Sequence, residues 1–165
     1  MNLGNCRRAG ALIAALIAGP LLAQGTETAF GADGADPDAP VEVTADNLSV
    51  DQETGIAVFT GAVTISQDTM RLSASEVRVV YTSGGDRIER LEATGGVTLV
   101  SGDDAAEAER ADYEVEAGRI RMSGEVLLTR GQTIVAAERM NVDLDTGRAE
   151  LSGRVRTVLQ PGDAE

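Results

Sequence analysis

Apolar and polar residues alternate along most of this chain. The period of two is clearest in Val41-Glu42-Val43, from Ala57 to Ile65, in Met70-Arg71-Leu72-Ser73-Ala74 and from Ile120 to Val126. Successive side chains of an extended strand point to opposite faces, so this period marks strands with one buried face. Turn-forming clusters fall at residues 51–55, 66–68, 83–86, 101–104, 116–118, 130–131 and 145–147. They predict about eight long strands of roughly 10 to 12 residues each. Beyond the first 25 residues no stretch carries a convincing helical period. The expected fold class is all-β.

A short signature recurs through these strands. Thr60-Gly61-Ala62-Val63, Thr94-Gly95-Gly96-Val97, Ser123-Gly124-Glu125-Val126 and Ser152-Gly153-Arg154-Val155 each read hydroxyl, glycine, any residue, valine. The glycines are 34, 29 and 29 residues apart, while Ala45, Ala74, Ala108 and Ala137 step by 29, 34 and 29. Gly55, Gly84, Gly118 and Gly147 keep the same steps, which places five extra residues after Gly84. Three landmarks in phase define four strand-pair repeats of about 29 residues. Gly61 shares parity with Phe59 and Val63, so the recurrent glycine either faces inward, leaving a column without side chains, or sits in a turn or bulge.

The charged residues Arg78, Glu107, Glu109, Glu114, Glu116, Arg119, Arg121, Glu138 and Glu150 occupy the alternate positions. They are expected on a solvated outer face. Ahead of the repeats, residues 1–25 read as an export signal, with Arg7 and Arg8 before an apolar run from Ala9 to Ala23. That run is shorter than the roughly 20 residues that span a bilayer. Residues 26–40 read as a flexible lead-in, 41–159 as the folded domain and 160–165 as a tail. The one cysteine, Cys6, precedes the apolar run and would leave with the signal.

Composition narrows the chemistry. Aromatic content is 2%, so the interior is lined by Val, Leu, Ile, Met and Ala. All 14 basic residues are arginine against 27 acidic ones, a formal charge of -13. Such a surface repels nucleic acid. The chain has no histidine, which removes the commonest general base, the usual zinc ligand and any Ser-His or Cys-His nucleophile. Asp143-Leu144-Asp145 and Asp103-Asp104 lack the rest of a calcium loop. The pairs Glu107/Glu109 and Glu114/Glu116 lie along one polar face instead of flanking a sugar. No catalytic constellation, metal site or cofactor site results.

The order of residues resembles a known family. Ala45-Asp46-Asn47-Leu48, Gly55, the run from Phe59 to Gln67 and Leu72-Ser73-Ala74-Ser75-Glu76-Val77 are similar to the OstA-like repeat. Ala111-Asp112-Tyr113-Glu114 followed by Met122-Ser123-Gly124-Glu125-Val126 resembles its second half. The resemblance implies a slit-open, twisted β-jelly roll in the periplasm whose groove holds the lipid A acyl chains of lipopolysaccharide. It implies end-to-end strand addition with further copies and with like-folded inner-membrane and outer-membrane components. The lipid-contacting positions it implies are Val41, Val43, Phe59, Val63, Ile65, Leu72, Val77, Val79, Tyr113, Ile120, Met122, Val126 and Leu128. The partner edges it implies are residues 41–50, through Val43, Leu48 and Val50, and residues 148–159, through Leu151, Val155 and Val158. The competing readings are a closed β-solenoid with a structural or adhesive role, a carbohydrate-active enzyme on a solenoid, and the periplasmic domain of the inner-membrane partner.

Overall fold

The computed structural model describes residues 26–30, 36 and 38–159. The expected signal and tail lie outside them. Among the described residues the chain forms eleven strands and no helix. They are β1 (Thr26–Ala29), β2 (Glu42–Thr44), β3 (Asn47–Asp51), β4 (Ile56–Gln67), β5 (Met70–Tyr81), β6 (Ile88–Ser101), β7 (Asp104–Glu114), β8 (Arg119–Arg130), β9 (Thr133–Asp143), β10 (Arg148–Ser152) and β11 (Arg156–Leu159). Neighbours pair antiparallel in the order β1-β10-β9-β8-β7-β6-β5-β4-β2, with β3 also on β4 and β11 also on β9. The eight expected long strands are thus six intact ones and two broken ones, β2/β3 and β10/β11.

The breaks lie on one line. Register shifts fall between Thr60 and Val63, Ser73 and Glu76, Thr94 and Val97, Glu107 and Arg110, and Ser123 and Val126. These shifts and the two interruptions form a crease across the sheet, and each long strand contributes one half to each of two walls. The first wall ends in β3 on one side and in β10 with β1 on the other. The second ends in β2 and β11. Both walls bury their inner faces in one hydrophobic cluster.

Crossing the crease changes the side-chain phase in alternate strands. In β4, β6 and β8 the buried positions keep their period, as in Met122 and Val126. In β5, β7 and β9 they slip by one, so Ala74 and Val77, Ala108 and Ala111, and Ala137 and Met140 are all buried. A simple alternation fails at these points because a bulge re-aims the chain.

The recurrent glycines are the bulge residues, and the inward column without side chains does not form. Gly61, Gly95, Gly124 and Gly153 have φ of 81, 85, 83 and 79°, and Ala62, Gly96, Glu125 and Arg154 after them are also left-handed. A Cβ on these glycines would lie 2.9, 2.7, 2.8 and 2.7 Å from the Cβ of Asp46, Ser75, Glu109 and Glu138, respectively. Each partner directly follows one of the four recurrent alanines, so the two landmarks of the repeat are the two sides of one contact. The Asp46 and Glu138 N–H groups donate to the Gly61 and Gly153 carbonyls at 3.0 and 2.9 Å, and the Ser75 hydroxyl donates to the Gly95 carbonyl at 2.6 Å. In the longest turn the left-handed residue is Gly85, not Gly84.

The lead-in is partly ordered. Thr26–Ala29 pairs with Arg148–Leu151, the Phe30 N–H donates to the Gly147 carbonyl at 2.7 Å, and Phe30 is buried in the core. Its Gly, Ala and Asp-rich composition hid this, because a four-residue strand with one aromatic anchor carries too little pattern to read. The sheet does not close on itself, which sets aside the closed solenoid.

Candidate functional site

The site follows from the two walls. The thirteen positions expected to face lipid all lie on the inner surface of the fold. Ten are buried: Val63, Ile65, Leu72, Val77, Val79, Tyr113, Ile120, Met122, Val126 and Leu128. Val41, Val43 and Phe59 are partly buried and pack against that cluster. The structure therefore gathers all of them in one apolar interior. Positions on β6 and β9 were missed by that set although they belong to it, such as Leu91, Leu99, Met140 and Val142. The same alternation marks them. Phe30 was missed for the reason given above.

The interior is filled by these side chains. The open space lies where the walls part opposite the crease, in a cavity of ≈ 760 Å³. One side of it is formed by the turns that carry Thr82, Asp86, Arg87, Ile88, Glu116 and Asp145, the other by Gln67 and by residues 38–41. Buried polar side chains mark this mouth and the far rim of the second wall. Tyr113 donates its hydroxyl proton to Gln67 Oε1 at 2.6 Å, tying the first wall to the second, and Gln67 Nε2 donates to the Ala39 carbonyl at 3.0 Å. Asp104, also buried, pairs with Arg130 at 3.2 Å. A second hollow of ≈ 800 Å³ follows the outer side of the crease among Glu107, Glu125, Glu138 and Arg154. Its charged lining places it outside the apolar interior.

Burial holds the Tyr113 phenol above its ordinary value of 10.0, with the nearby Asp145 charge acting in the same direction. The turn aspartates shift the other way. Asp51 is lowered by backbone N–H donors from Thr54 and Glu53, Asp86 by the Thr82 hydroxyl, and Asp143 by the hydroxyl and N–H of Thr146. These groups stabilise turns. Among the described residues no group of three or more acidic, Cys or His side chains could hold a metal.

The ends of the fold are unsealed. Leu48 and Val50 on β3 are 56% and 60% exposed, though they lie across from Phe59 and Ala57 and so share the inner face. Val155 and Val158 are exposed at the opposite end, and Val43 is partly buried on β2. Leu151 departs from the expectation of a free edge. It is fully buried, and its strand β10 pairs with β1 along the edge expected to be free.

Two creased, antiparallel walls around an apolar interior, joined along one side and open at both ends, define the OstA-like β-jelly roll. The chain belongs to the family described as "LptA/(LptD N-terminal domain) LPS transport protein", whose model matches residues 42–148. It is similar to LptH, the LptA-homologous periplasmic component of the lipopolysaccharide transport device of Pseudomonas aeruginosa. That crystal structure superposes with a TM-score of 0.68 over 77% of this chain and 99% of LptH, at 18% identity. A Rhizobium meliloti (strain 1021) protein known as uncharacterized protein R00383 is 34% identical over 103 residues, 58% of this chain and 55% of that protein. The chain thus spans about half the length of that relative.

Proposed function

We propose that this protein is a periplasmic lipopolysaccharide carrier. In this reading its walls part at the mouth to shield lipid A acyl chains, and its two ends join further copies and the inner-membrane and outer-membrane components of the transport bridge. What supports lipid shielding is an apolar interior lined by flexible aliphatic side chains, with a mouth where the two walls part. Each buried methylene is worth roughly 0.8 kcal/mol, so hiding a chain of about 12 methylenes offsets about 10 kcal/mol of exposure to water.

The observation that carries the bridge is the phase of the repeat at the ends. Inside the molecule each glycine-bulge strand is followed by a strand of the alanine type: β4 by β5, β6 by β7, β8 by β9. The last strand, β10/β11, is of the first type, and β2/β3 is of the second. A second copy set end to end would therefore continue the same antiparallel alternation, bringing exposed Leu48 and Val50 under cover. Unpaired strand edges invite such addition. The test is mass spectrometry of lipid carried by the protein after export in a lipopolysaccharide-producing cell. Bound lipopolysaccharide is the expected result, and protein free of lipid would defeat the reading.

A further inference from the structure

The end that a second copy would join is already occupied by the chain's own N-terminal strand. We propose that β1 is a self-complementing cap, a stand-in for the β3 of the next copy, which must leave β10 before copies can join. This inference rests on the end-to-end reading above and adds its regulation.

Direction is the first argument. β1 runs antiparallel to β10, the same direction the incoming β3 would take, because β3, like β5, β7 and β9, runs antiparallel to the bulge strand beside it. Register is the second. In the repeat, Ser123 faces Arg139, Met122 faces Met140 and Ile120 faces Val142. Transferred to the end of the molecule, the same register sets Ser152 opposite Asn47, Leu151 opposite Leu48 and Ala149 opposite Val50 of the next copy. β1 places Thr26 opposite Leu151 and Thr28 opposite Ala149 instead. The cap thus pairs threonine, in backbone register, with the two β10 residues, Leu151 and Ala149, that the partner would pair with leucine and valine.

Level is the third argument. With β1 in place the first wall extends one strand beyond β10, while the second wall stops at β11. The two walls then end unevenly, and an incoming copy could not meet both at once. Removing β1 levels the end. The cap is also short: β1 pairs over four positions, whereas β8 and β9 pair over ten. Phe30, whose N–H is bonded to Gly147, is its buried anchor. An intramolecular strand competes at high effective concentration, so a weak cap suffices to hold copies apart when they are dilute.

Competition of this kind raises the apparent dissociation constant by the inverse of the uncapped fraction. The experiment compares the exported, full mature chain with Thr28→Pro, which removes a strand N–H, and with Phe30→Ser, which removes the anchor. Weight-average mass is followed against concentration by light scattering, each protein also being made with Leu48→Lys. With the cap populated about 90% of the time, both substitutions are expected to lower the concentration needed for assembly about tenfold, and Leu48→Lys is expected to abolish the gain. Equal assembly of wild type and variants, still blocked by Leu48→Lys, would overturn the cap while leaving strand addition intact. Weaker assembly of the variants would also overturn it, by making β1 part of the junction. Failure of every protein to assemble, or assembly indifferent to Leu48→Lys, would overturn the cap together with the end-to-end reading.

Discussion

Tyr113 on β7 donates its hydroxyl proton to Gln67 at the end of β4, 46 residues earlier, and this bond at 2.6 Å joins the two walls across the interior. Gln67 in turn holds the Ala39 carbonyl, so one polar chain links the first wall, the second wall and the segment lying over the mouth. Both side chains are almost fully buried. Such a link sets how easily the walls part. Tyr113→Phe keeps the ring and removes the donor, and is expected to cost about 0.5–1.5 kcal/mol. The same change should speed amide exchange at residues 38–41 more than at β8, as hydrogen exchange would report.

Tyr113 also gives the fold an alkaline limit. Its phenol is buried, so its folded pKa lies above the unfolded value of 10.0. The folded state then keeps a proton that the unfolded state loses. The sign follows from linkage: this contribution is fully present below pH 10 and is lost as pH rises through the folded value. Thermal melts of the wild type above pH 10 should therefore fall more steeply than those of Tyr113→Phe. Parallel curves would remove the assigned role of burial.

The crease makes a sharper demand on stability. Gly124 has φ of 83° and a Cβ there would lie 2.8 Å from Glu109 Cβ, whereas Gly96, also at 83°, faces open space. Left-handed strain alone costs about 1–3 kcal/mol. Gly96→Ala is expected to lose about that much, and Gly124→Ala clearly more, since β7 would have to move away. Urea melts of the two variants decide it, and equal losses would mean that the close approach contributes nothing.

The repeat shows what could be read from the chain and what could not. The alternation around Phe59, Leu72 and Ile120 identifies strands and inner faces, because one buried face leaves a period of two. The spacing of Gly61, Gly95, Gly124 and Gly153 reveals four units. It does not reveal that each glycine meets the residue after Ala45, Ala74, Ala108 or Ala137, since that contact depends on a bulge that shifts register. The phase slip from Ala74 to Val77 has the same origin. The burial of Phe30 and the pairing of β1 with the strand that carries Leu151 are not legible in the chain, because four residues leave no periodic trace.

Lipid shielding predicts a sharp division between faces. Phe59 lies inside near the open end, and Met122 lies deep between the walls. Arg121 on the neighbouring position and Glu138 beside the crease lie on the outer surface, Arg121 bonded to Glu114 at 2.7 Å and Glu138 to Arg154 at 2.6 Å. Photo-crosslinking residues at Phe59 and Met122 are expected to capture lipopolysaccharide in cells, and those at Arg121 and Glu138 to capture little. Equal labelling at all four would place the lipid outside the walls.

The open ends predict a separation of binding from assembly. Val43 on β2 and Val155 between β10 and β11 lie at opposite ends of the second wall, on its inner phase. In a joined pair of copies the internal register of Val63 with Ala74 would set Val155 beside Ala45 of the next copy, two residues from its Val43. A glutamate at either position would then be buried against an apolar neighbour, at a cost of several kcal/mol unless it takes up a proton. In an isolated copy a glutamate at exposed Val155 stays in water, and one at partly buried Val43 sits at the rim of the core, where it meets less apolar surface than in the junction. Val43→Glu and Val155→Glu are therefore expected to weaken self-association at least about tenfold, a difference of roughly 1.4 kcal/mol. Lipid captured per molecule should change much less. Light scattering reads the first quantity and mass spectrometry of bound lipid the second. Full assembly of both variants would mean that copies meet elsewhere than at these edges.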